Sequence, residues 1–202
     1  MRRLVLAAAV AAVALGPAAA PVLADDTGPR KVCTFDVKAL PEVSGMTGSI
    51  LHPGTIWMHN DSGGGPVIYA VNAETCAIEA RVTLADVPGR DIEAIGAGKD
   101  SKGRAALWVA DFGDNKDSWT VVRLYELPEP EELVDQSVPV RAWRFTYADG
   151  PHDAETLLVD PRRPSLWVVT KQLAAGGLYK FPSLPPISLG EVWTCLLYTS
   201  PS

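Results

Sequence analysis

The stretch LWVADFGDNKD, Leu107–Asp117, joins a short apolar run to an acidic loop. Leu107, Trp108, Val109 and Ala110 read as a strand, because Trp and Val suit a pleated, half-buried surface. Asp111, Gly113, Asp114, Asn115 and Asp117 follow within seven residues. Asp, Asn and Gly are the residues of an ordinary turn. The same oxygens are also those a hard cation takes from clustered carboxylates, amides and carbonyls. The loop lacks the spacing of an EF-hand, which needs a sixth-position Gly and a twelfth-position Glu.

The pattern recurs, and the recurrence sets the fold. Glu93 in DIEAIGAG leads to Trp108 and then to Tyr125 in VVRLYEL. Glu42 in LPEVSGM leads to Trp57 in TIWMHND and Tyr69 in VIYAV. Glu155 in DAETLLVD leads to Trp167 in LWVVTK and Tyr179 in GLYKF. The three glutamates lie 51 and 62 residues apart. Self-similarity at such a period marks a solenoid or a propeller. Strand-only units with turn residues between them predict an all-β chain, a β-propeller of four-stranded antiparallel blades, about three of them present. Amphipathic helices of crossover length, which a parallel α/β fold requires, are missing.

Outward from the repeats, residues 1–24 read as a secretory signal. Arg2 and Arg3 begin it, an apolar run from Leu4 follows, and Val22-Leu23-Ala24 precede Asp25 as a cleavage site. Residues 195–202, CLLYTSPS, read as a non-native, adaptor-derived tail. The partial propeller domain is then 25–194, a C-terminally truncated fragment. Three blades leave open edges that a closed ring would remove. The net charge of −6 becomes −8 without Arg2 and Arg3. Such an acidic chain suits neither nucleic acid nor an anionic membrane surface. The expectation is a secreted, monomeric protein with no membrane contact beyond its leader.

Cys33 and Cys76 are expected to form a disulfide, as cysteine pairs of exported chains do. The insertion PEPEELVDQSVP in the second unit carries three prolines and reads as a surface loop. The loop NDSGGG, Asn60–Gly65, contains the DSGG of serine-protease nucleophile loops, but no protease-type His segment accompanies it. The elbow G-x-S-x-G is missing too.

Glu42, Glu93 and Glu155 hold the same place in the repeat by this count, so their carboxylates are expected to converge on a central channel. Converged carboxylates repel unless a cation neutralises them. The candidate ion site is therefore Glu42, Glu93, Glu155 and Asp111, with Asp61, Asp114, Asn115 and Asp153 as further channel or ion-binding residues. Calcium is the expected ion. Lys171 is the candidate anion-binding residue. His59 and His152, beside acidic loops, are candidate ligands or bases. Equally, each Glu can accept backbone hydrogen bonds and simply fix its own blade. Trp57, Trp108 and Trp167 are expected in the core.

The ordered set PEVSG (41–45), HNDSGG (59–64), DIEAI (91–95), DFGDN (111–115), YADGPHDAE (147–155) and VVTK (168–171) resembles a family of secreted bacterial β-propellers. Its members are described as WD-repeat-like or as having phytase-family, esterase-like domains. The resemblance covers nearly all of 40–181 and implies an extracellular, calcium-binding propeller. Two functions stay open: binding a small-molecule or protein ligand on a propeller face, or metal-dependent hydrolysis of phosphate or carboxylic esters through an activated water.

Overall fold

The computed structural model describes residues 28–61, 63–172, 176–182 and 191–197. The signal expected over 1–24 and positions 198–202 lie outside them. The elements are β1 (Val43–Gly48), β2 (Thr55–Asn60), β3 (Val67–Asn72), β4 (Ile78–Ala85), β5 (Ile92–Lys99), β6 (Ala105–Asp111), β7 (Val122–Pro128), β8 (Gln136–Pro139), β9 (Arg141–Tyr147), β10 (Ala154–Val159), β11 (Leu166–Thr170), β12 (Leu178–Lys180) and β13 (Val192–Leu197). The described residues are all-β, as the repeat predicts.

The expected separate four-stranded sheets are replaced by two larger ones. One has the order β1-β2-β3-β4-β8, the other β10-β11-β12-β13-β9-β7-β6-β5. Antiparallel four-strand runs are present in β1–β4 and in β5-β6-β7-β9, but parallel pairs join them to their neighbours. The proline-rich insertion is the first reason. Its Gln136–Pro139 is not a loop but β8, paired with Val82–Ala85 along the free edge of β4. The second is β13, which pairs antiparallel with β12 and parallel with β9. An unpaired edge offers N–H and C=O groups to any strand that reaches it. Both parallel strands fill such edges.

Cys195, Leu196 and Leu197, expected to stand outside the fold, are the end of β13. Leu197 pairs with Tyr179 and Leu196 with Lys180, and the alternation of the strand turns Cys195 into the core.

Strand register gives the repeat a physical definition. Trp57, Trp108 and Trp167 each sit three residues before the position paired with the opening residue of the first strand: Val43↔Asn60, Ile92↔Asp111 and Ala154↔Thr170. Tyr69, Tyr125 and Tyr179 each pair with the residue after the Trp, namely Met58, Val109 and Val168. A strand has two faces. The Trp face of the first repeat carries Trp57, Ile68 and Val82. It packs on Leu107, Val109, Tyr125 and Leu127, the Tyr face of the second. The Trp face of the second, with Trp108, Leu124 and Trp143, packs on Leu166, Val168, Tyr179 and Phe181 of the third. Trp57 and Trp108 are fully buried, while Trp167 is only partly so.

The Tyr face of the first repeat is covered by the N-terminal segment. Phe35, Ala39 and Leu40 pack on Ile56, Met58, Tyr69 and Val71. The Cys33–Cys76 disulfide forms as expected, with Cα atoms 5.7 Å apart, and ties that segment down.

Candidate functional site

The opening strands β1, β5 and β10 lie side by side, β5 between the other two. Glycines permit the approach. A Cβ at Gly96 or Gly98 would come within 2.3 Å of Val159 on β10, and one at Gly45 within 3.3 Å of the Ala94 Cα on β5.

Each opening strand carries a bulge at its start. The register slips between Val43 and Gly45, between Ile92 and Ala94, and between Ala154 and Thr156. The residue set out of the ladder is Ser44, Glu93 or Glu155. Bulges re-aim side chains in this way and gather at functional sites. The structural counterpart of Glu93 and Glu155 in the first repeat is therefore Ser44. Glu42 stands two places earlier, level with Asp91 and Asp153. Counting back from the Trp misaligned it, because the first hairpins of the repeats differ in length.

The three bulges meet. Ser44 Oγ donates to Glu93 Oε2 at 3.1 Å. Glu93 also feels the charges of Glu155, Asp61 and Asp91. Burial first, then those carboxylates, push the Glu93 carboxyl up to about 8 against an ordinary 4.5, with the Ser44 hydrogen bond opposing. Asp91 is raised by burial and by Asp61, Asp153 and Asp111, opposed by Arg90. One ligand oxygen each from Asp61, Asp91 and Glu93 all lie within 4.8 Å of one another. Gly113 of the DFGDN loop leaves room for them. A Cβ there would fall 2.5 Å from Asp91 Oδ2 and 2.8 Å from Glu93 Oε1. Three hard oxygen donors in a cradle without a side chain fit Ca²⁺, with further oxygens supplied by backbone or water.

The structure thus brings together Glu93, Asp61, Asp153 and Glu155 of the residues singled out in sequence, and adds Asp91. Asp91, just before β5, is the residue that sequence reasoning misses; the D-x-E spacing of DIEAI is the signal that points to it. Glu42 is exposed, and its backbone oxygen accepts from Asp61 N at 2.9 Å. Asp111 is fully buried. It accepts from Asp91 N at 2.8 Å and from the Tyr125 hydroxyl at 2.6 Å, and so positions the strand that bears the site. Asp114 accepts from Ser118 Oγ and Trp119 N and shapes its own turn. Asn115 is exposed. Asp153 joins two acidic loops: its Oδ1 accepts from Asp114 N, and its N–H donates to Asp117 Oδ1, both at 2.8 Å.

Lys171 Nζ lies 2.6 Å from Glu155 Oε1 and 3.8 Å from Asp153 Oδ2. Its positive charge is directed at the carboxylates of the third repeat. His59 is fully buried; its Nδ1 donates to Asn60 O at 2.8 Å, and burial lowers its pKa. That makes it a neutral packing residue of β2. His152 Nε2 lies 2.9 Å from Asp149 Oδ1 and 2.9 Å from the Tyr179 hydroxyl, which itself donates to Asp149. These contacts close the loop before β10. Beside the acidic group, the Arg90 guanidinium stacks 3.8 Å above the Trp119 ring.

Set against protein-family models, curated proteins and solved structures, the chain matches none. Its site is read from its own geometry.

Proposed function

We propose that this is an exported β-propeller-type protein that binds a ligand or partner and holds a divalent cation, calcium by its donor set, at Asp61, Asp91 and Glu93. The carrying observation is the convergence of those three carboxylates, with ligand oxygens within 4.8 Å of one another, beside a glycine whose side chain would displace them. Like charges this close are costly unless a proton or a cation intervenes. The propeller reading is supported by three Glu/Trp/Tyr repeats whose opening strands lie together and whose Trp and Tyr faces stack in order. Export is supported by the leader-like 1–24 and by the disulfide. Among the described residues no helix is long and apolar enough to cross a membrane.

Calcium titration by calorimetry tests the proposal. One ion per chain is expected, abolished in Glu93→Gln. At about a hundred times the Kd, linkage adds about 2.7 kcal/mol, or a Tm rise of about 5–10 °C. Absence of heat and of any Tm shift would sink the cation.

A second reading is a metal-dependent phosphate- or carboxylic-ester hydrolase. The observation favouring it is the same cluster of Asp61, Asp91 and Glu93, where a bound cation would polarise a phosphoryl or acyl oxygen and activate a water. Calcium-dependent release of p-nitrophenol from its phosphate or acetate ester, lost in Glu93→Gln, would establish it.

A further inference from the structure

The chain has 6 tryptophans, and all but one are buried or half-buried. Trp119, in the loop between β6 and β7, is 45 % exposed. Folding gains little from an indole left in water, yet this one is fixed at both backbone and ring. Its N–H donates to Asp114 Oδ2 at 2.6 Å, and Ser118 Oγ donates to Oδ1 of the same buried carboxylate. Asp114 N in turn donates to Asp153 Oδ1, which ties the loop to the third repeat. The ring lies against the Arg90 guanidinium, 3.8 Å from its centroid. Arg90 Nε and Nη2 are closed off from solvent and have no hydrogen-bond partner among the described residues. The guanidinium is therefore a backing for the ring, held by the cation–π contact and by the negative charge of Asp91. With one face on Arg90, the indole turns its other face to solvent.

That face borders the acidic centre. The residue after Arg90 is Asp91, one of the three carboxylates that converge with Asp61 and Glu93. Ca²⁺ takes roughly 6–8 oxygens, so three carboxylates leave places for a ligand's own oxygens. Asp153 and Glu155 flank the centre with Lys171 paired to both. No positive surplus remains for an anion, and a neutral ligand enters more readily. A sugar ring meets both demands. Its hydroxyls are hard, neutral oxygens, and its C–H face is flat and apolar enough to lie on an indole.

We propose that Trp119 is the stacking platform of a calcium-dependent saccharide site, in which sugar hydroxyls complete the coordination of the ion held at Asp61, Asp91 and Glu93. This rests on the cation reading above and gives its ligand a chemical class. Arg90 and Asp114 are positioning residues that hold the platform.

Calorimetry on the calcium-loaded chain, with mannotriose, cellotriose and maltotriose as probes, decides the matter. At least one should bind and shift the indole fluorescence, and EDTA should abolish that binding. Trp119→Ala should weaken it about tenfold or more, whereas Trp119→Phe, which keeps a ring, should weaken it about threefold or less. Calcium affinity should stay within about twofold in both variants, because neither removes an ion ligand. Circular dichroism checks that the alanine variant keeps its strands; if it does not, Trp119→Gln takes its place. Calcium heat without sugar heat from any of the three probes would overturn this proposal and leave the cation reading standing. Absence of calcium heat would overturn both. Sugar binding that survives EDTA, or that survives Trp119→Ala undiminished, would overturn the platform bridged to the ion.

Discussion

Glu129 and Glu93 are both buried, 2 % and 4 % exposed, and they do opposite things. Glu129 follows β7 and reaches into the β1–β2 turn of the first repeat. It accepts from Ser49 Oγ, from Ile50 N at 3.1 Å, from Leu51 N at 3.2 Å and from Trp57 Nε1 at 2.8 Å. Among the described residues Glu93 has the single side-chain donor Ser44, and it faces Glu155, Asp61 and Asp91. A buried carboxylate saturated with donors is a staple; one ringed by carboxylates needs a proton or a cation. Burial alone does not separate the two roles. The donors do.

The contrast breaks if Glu129 is dispensable. Glu129→Ala strands the Trp57 indole N–H and two backbone N–H groups, and should cost about 3–5 kcal/mol in urea unfolding. A loss below about 1 kcal/mol would remove Glu129 as a staple. The pH dependence sharpens the other half. The folded chain keeps on Glu93 a proton that the unfolded chain releases near 4.5. The associated stability is complete below that value and is lost as pH rises through about 8. Melts from pH 5 to 9 without calcium should therefore decline. Glu93→Gln should flatten the decline, and saturating Ca²⁺ should offset it. An unchanged slope in the variant would show that Glu93 is not the group responsible. A smaller effect belongs to the support beneath the site. Tyr125→Phe takes the hydroxyl donor from buried Asp111 and leaves it the Asp91 N–H, and should cost about 1.5–3 kcal/mol by chemical denaturation. Smallest of all is Arg104→Ala. The Arg104 guanidinium is 61 % exposed and its partner Asp100 only 5 %, but Asp100 keeps the backbone N–H donors of Lys102 and Arg104, so the loss should be about 1 kcal/mol or less.

Much of this was legible in the sequence. The Trp and Tyr positions of the repeat are the strand-pairing positions of the structure, because large apolar residues at matched places define which faces pack. The cysteine pair was legible from composition and compartment. The acidic centre was only partly so. Glu93 and Asp61 stand out in the sequence, whereas Asp91 lies just before β5 and its place beside them is set by the fold. Glu42 was placed in register with Glu93 by its distance from the Trp, whereas register is set by bulges and hairpin lengths. A bulge is a property of backbone pairing, with no residue type that announces it at Ser44, Glu93 and Glu155 alike. Asp111 and Asp114 have the right chemistry for an ion and spend it on Tyr125, Trp119 and backbone N–H groups. β8 was concealed by prolines. Pro139 ends that strand at a sheet edge, where proline is tolerated.

Strand β8 has a mechanical consequence. It belongs in sequence to the second repeat and in space to the first, where it zips along Val82–Ala85. Repeats that touch only through faces can open one at a time, each with its own free energy. Here the chain leaves β7, crosses to the first sheet and returns as β9. Peeling the first repeat away must also tear a parallel ladder out of the middle of the second. The clasp couples the two repeats into one melting unit, so backbone amides of β4 and β7 should exchange with solvent through the same opening event.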